Sequence, residues 1–109
     1  MATKILGDVA LLGAFAEAQY VANEYLRENG ENPFNCGFAW VEVKGVRGNK
    51  AKLLKEYGCK KSYTGPGLSL WNPSKNYTQD MSVKMAGAEV FAKELRECGL
   101  DAVARCRLD

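Results

Sequence analysis

The chain has 109 residues, a formal net charge of +2 and no histidine. Its hydrophobic fraction of 47% and charged fraction of 26% suit one globular domain over residues 1–109, large enough to bury roughly two-thirds of its unfolded surface without staples. So small a positive excess argues against a strong nucleic-acid binder while leaving room for a local basic patch; the lack of histidine removes the commonest general base and metal ligand.

At the N-terminus the apolar run VALLGAFA is short and followed by Glu17. It lacks the length and cleavage site of a secretory segment. No window reaches the roughly 18–20 apolar residues of a membrane span. The expectation is a cytoplasmic protein with no membrane partner. Residues 8–28 read as an amphipathic helix with Asp8 as N-cap and Val9, Leu12, Phe15, Ala16, Ala22 and Leu26 at helical spacing. ENGENP ends it, with Gly30 suited to the position after the helix and Pro33 forbidding continuation.

CGFAWVEVKG (36–45) has high β propensity. Its alternation sets Ala39, Val41 and Val43 against Phe38, Trp40 and Glu42. Residues 48–58 predict a short helix closed by Gly58. Residues 59–63 and 68–72 predict two strands joined through TGPG, a hairpin turn. The spacing of Met81, Met85, Ala88, Ala92 and Leu95, flanked by Phe91, predicts the longest helix over 80–98, capped by Asp80 and ended by Gly99. Residues 101–108 alternate as a last strand.

From residue 36 the order is β-α-β-β-α-β. This is an α+β chain: a leading helix, then a ferredoxin-like unit with a four-stranded antiparallel sheet. Two crossover helices would cover Ala39, Val41, Val43, Leu68, Leu70, Ala102 and Ala104. The opposite face would carry Phe38, Trp40, Glu42, Ser69, Trp71, Arg105 and Arg107, with Val103 alongside. Aromatics beside arginines are unusual on a solvated face. Either the leading helix lies over them, with Arg105 pairing with Glu42 across strands, or they form a binding platform that stacks rings and holds phosphates.

Catalysis finds no support. Without histidine a Ser-His or Cys-His nucleophile cannot form, and no carboxylates form a diagnostic pair. Cys36, Cys59, Cys98 and Cys106 lack C-x-x-C spacing. They read as reduced thiols in preference to a zinc site or two disulfides. No metal and no cofactor is expected. TGPG is not a phosphate-binding P-loop, since it lacks that spacing and opens no helix; its first role is a turn. Basic residues surround it, however, and KGVRGNK adds Lys44, Arg47 and Lys50 beside two glycines whose N–H groups can meet an anion. If the ligand is a nucleotide, the expected contacts are Arg47, Lys60, Lys61, Tyr63, Trp71 and Arg105. NYT (76–78) matches a glycosylation acceptor that a cytoplasmic chain would leave unmodified.

The segments G-F-A-W-V, R-G with a following L-K-x-x-G, L-W-N-P, A-G-A-x-x-F-A-x-x-L and a closing R-L-D, spread over residues 36–109, resemble a group of small uncharacterised proteins of tailed bacteriophages. The resemblance carries no activity. It implies a viral protein of the host cytoplasm, and small phage proteins without catalytic groups often act by binding. The leading expectation is a non-enzymatic binding protein that captures a host protein or sequesters a nucleotide signal, as a host-defence inhibitor would. The alternatives are a nucleic-acid accessory protein, and a self-associating structural or virion component using the leading helix to form a homo-oligomer.

Overall fold

The computed structural model describes residues 4–62 and 65–108. Among these the chain runs α1 (Asp8–Asn29), β1 (Gly37–Lys44), α2 (Gly48–Glu56), β2 (Lys60–Lys61), β3 (Leu68–Trp71), α3 (Met81–Glu97) and β4 (Asp101–Leu108). The strands form one sheet in the order β2-β3-β1-β4, with every neighbouring pair antiparallel. This is the ferredoxin-like arrangement that the element order predicts, with α1 added in front.

The alternation of β1 decides which side is core. Ala39, Val41 and Val43 are buried, together with Leu68 and Leu70 of β3 and Ala102 of β4. They pack under Leu54 of α2 and under Ala88, Phe91, Ala92 and Leu95 of α3. Ala104 joins this side half-buried. Burying a side chain of the Leu or Phe class is worth about 1.5–3 kcal/mol each, so this layer supplies most of the drive to fold.

The leading helix is also on this side. Its buried residues are Leu11, Ala14, Phe15, Ala18 and Ala22, and Phe15 meets Phe91 at a 4.7 Å ring-centroid distance. The stripe expected from sequence is therefore rotated: Val9, Leu12 and Ala16 face out. The reason is the partner. Helix α3 presents Gly87, where an added Cβ would lie 2.9 Å from the Ala18 carbonyl oxygen and 2.5 Å from Ser74 Cβ. Alanines at 14, 18 and 22 fit so close an approach, and larger residues do not.

Two helix starts differ in kind. Gly7, not Asp8, holds the N-cap position of α1, and no side chain caps it. Asp8 sits in the first turn, where a carboxylate suits the helix dipole, and accepts a hydrogen bond from the Tyr57 hydroxyl at 2.7 Å. Asp80 is the N-cap of α3 as expected, accepting from the Ser82 N–H. It also accepts from the Asn32 N–H at 2.8 Å and Asn35 Nδ2 at 2.9 Å. Burial would raise its carboxyl, but these bonds outweigh that and hold the pKa below its ordinary value.

Strand β2 is shorter than residues 59–63. Cys59 is buried, and its N–H donates to Leu54 O at 3.0 Å, finishing the turn after α2 rather than joining the ladder. The hairpin closes through Ser62 N–H to Gly67 O at 3.1 Å. Gly67 has φ +105°, and a Cβ there would lie 2.3 Å from Val43 O. The glycine is required both for its backbone conformation and for the close passage beside β1. The four cysteines are free thiols.

Candidate binding face of the sheet

With α1, α2 and α3 all contributing to the other layer, the second sheet face is left bare. The alternative in which α1 covers it does not occur. Register places the residues of this face. Trp40 of β1 lies directly opposite Trp71 of β3 and Arg105 of β4. Phe38 lies opposite Arg107, Glu42 opposite Ser69 and Val103, and Ser69 opposite Lys60 of β2.

The three aromatics form one contiguous row. The Trp40 and Trp71 rings lie 4.8 Å apart at 30°, and Phe38 meets Trp71 edge-on at 6.1 Å. Phe38 is 38% and Trp71 43% exposed, high values for large rings on the two central strands of a sheet. Cations border the row. The Arg107 guanidinium lies 6.0 Å from the Phe38 ring centroid. The Lys84 ammonium of α3 donates to Gly37 O and lies 5.7 Å from the same ring. A cation at such a distance is attracted to the ring face and keeps part of its charge available to an anion.

At the other end of the row, Arg105 Nε donates to Glu42 Oε2 at 2.9 Å, and Trp40 Nε1 donates to Glu42 Oε1 at 3.1 Å. The cross-strand ion pair expected between Glu42 and Arg105 is thus present, on the sheet's diagonal rather than straight across. Glu42 is buried. Burial alone would raise its carboxyl, but the bonds from Trp40 and Arg105 and the charges of Arg105 and Lys44 hold its pKa below 4.5. Beside it opens a cleft of about 370 Å³ lined by Trp40, Glu42, Lys44, Arg105, Gly65 and Pro66. Gly65 and Pro66 therefore form a wall of the cleft, next to the hairpin closure between Ser62 and Gly67. Lys44 also lines a neighbouring concavity of about 560 Å³ with Arg47 and Lys50, where β1 hands over to α2.

The structure divides the six contacts expected from sequence. Trp71 and Arg105 belong to the aromatic face, and Lys60 shares that face through Ser69. Arg47 stands apart in the adjoining concavity. Lys61 pairs with Leu68, on the helix side of the edge strand, and is exposed there. Tyr63 lies outside the described residues. Trp40, Phe38, Glu42 and Arg107 were absent from that set although strand alternation already placed them on the same face. What the sequence hid was the cleft, which depends on where residues 65 and 66 come to rest. Among the described residues no cluster of three or more acidic or cysteine side chains is arranged to hold a metal ion, and no helix is long and apolar enough to cross a membrane. Comparison of the chain with protein-family models, with curated proteins and with solved structures finds no match.

Proposed function

We propose that the protein acts by binding rather than by chemistry, and that its bare sheet face receives a ligand made of a flat base and a phosphate. The carrying observation is the row Phe38, Trp71, Trp40 on the two central strands, uncovered by any helix and bordered by Arg107, Lys84 and Arg105. Stacking a base on such a ring is worth about 1–3 kcal/mol, and the cations neutralise phosphate. A free nucleotide and a short single strand share this chemistry. The small net charge favours the nucleotide, since a strand binder draws more of its affinity from counterion release. In the viral setting implied by the motif resemblance, this is sequestration of a nucleotide signal of the host.

Titration calorimetry with cyclic di- and trinucleotides and ADP-ribose derivatives, run beside single-stranded oligomers at low and moderate salt, tests the proposal. Saturable heat with the first group and little salt dependence is expected. A steeply salt-dependent response to strands alone transfers the site to nucleic acid. A flat response to every probe by the folded protein removes the proposal.

Self-association is a second reading, favoured by a separate surface. Ile5, Val9, Leu12 and Tyr20 are 91%, 86%, 58% and 61% exposed along the outer side of α1 and the segment leading into it. A mass that stays monomeric by light scattering across a wide concentration range removes this reading.

A further inference from the structure

Resting on the base-and-phosphate reading, we infer that the cleft beside Trp40 reads the edge of the base, and that Glu42 is the specificity-determining residue that selects guanine. The carboxylate of Glu42 is the one acidic group among the described residues of this cleft. It is buried at 8% exposure, and among the described residues each of its oxygens has one donor: Oε1 accepts from Trp40 Nε1 and Oε2 from Arg105 Nε. A carboxylate oxygen accepts two hydrogen bonds, so each retains capacity for one more. The group is a rigid pair of acceptors side by side, at the end of an aromatic row.

Base edges differ in what they present to such a pair. Guanine carries two adjacent donors on its Watson–Crick edge, N1–H and the N2 amino group, which match two carboxylate oxygens in parallel. Adenine and cytosine each offer an amino group beside a ring-nitrogen acceptor, which would face a carboxylate oxygen lone pair to lone pair. Uracil and thymine offer one N–H flanked by carbonyls. A buried acceptor left without a donor is costly, so discrimination arises as much from rejecting the wrong edge as from binding the right one. The Trp40 ring supplies a wall to stack upon. Lys44 lines both this cleft and the second concavity, and Arg105 is about half exposed while holding Glu42; both can meet a phosphate of the same nucleotide.

The test uses the whole chain and three free nucleotides, GMP, IMP and AMP. Tryptophan fluorescence reports binding. GMP is expected to bind about tenfold tighter than AMP, with IMP, which lacks the N2 amino group, between them. Glu42→Gln replaces two acceptors by one donor and one acceptor, and is expected to erase the preference for GMP over AMP. The IMP arm changes only the ligand, so it reads the same contact even where the variant folds poorly. Equal binding of all three nucleotides overturns the assignment of Glu42 while leaving the binding face standing. Failure of all three nucleotides to bind overturns this assignment together with the reading on which it rests.

Discussion

Gly87 of α3 lies so close to Ala18 of α1 that a single added methyl would sit 2.9 Å from the Ala18 carbonyl oxygen. This seam holds the leading helix on the helical layer, and so leaves Phe38, Trp40 and Trp71 uncovered. The Gly87→Ala variant tests it. In an open helix the change gains about 1 kcal/mol. Here the methyl also meets the buried Ser74 at 2.5 Å, and overpacking of this kind costs about 1–3 kcal/mol. A net loss of up to about 2 kcal/mol in urea unfolding is expected. A gain would mean that the seam is looser than described.

Trp71→Ala separates binding from folding. Trp71 is exposed at the end of a short strand, and the aromatic pair with Trp40 is worth about 0.5–1.5 kcal/mol. The variant should therefore stay folded with a modestly lower melting temperature, and lose about 10- to 100-fold in affinity for a base-bearing ligand. Unchanged affinity would move the ligand off the aromatic row.

Acid should weaken the fold through two named groups. Asp80 and Glu42 both have carboxyl pKa values held below their ordinary 3.8 and 4.5 in the folded chain. The folded state then binds fewer protons than the unfolded state as pH falls, so stability falls with it. Their contribution is complete above the ordinary values and is lost as pH drops through the depressed folded ones. Asp80→Asn keeps a capping oxygen but removes the charge, and should flatten the stability profile below about pH 4.5. Asp80→Ala also removes the anchor for Asn32 and Asn35, and should cost about 2 kcal/mol at neutral pH. A profile for Asp80→Asn as steep as the parent's would assign the acid sensitivity elsewhere.

The thiols should react in a definite order. Cys106 is exposed and Cys36 half-buried, whereas Cys59 and Cys98 are buried. Burial pushes the Cys59 thiol up to about 11 and raises that of Cys98 too, which leaves little thiolate at neutral pH. A thiol reagent should label Cys106 first and Cys36 more slowly, and reach Cys59 and Cys98 only in denaturant. Fast native labelling of all four would contradict the packing at the C-terminal ends of α2 and α3, where Cys59 and Cys98 are buried.

The period of each segment is a local property, and it is legible from sequence. The two-residue alternation of GFAWVEVK and DAVARCRL sorts core from open face, because neighbouring side chains on a strand must point to opposite sides. Asp80 ahead of an apolar period marks a capped helix by the same local logic. The antiparallel ladders then set Trp40 between Trp71 and Arg105. Three things were decided only in three dimensions. One is the rotation of α1, set by the closeness of Gly87 rather than by the size of Val9 and Leu12. Another is the cleft beside Glu42, set by where Gly65 and Pro66 come to rest beside Trp40 and Arg105. The last is the split of the basic residues between two concavities, since Arg47 and Arg105 belong to elements whose meeting no single stretch of chain encodes. Sequence periodicity tells a residue which way to face; only the packed neighbour determines whether something is already there.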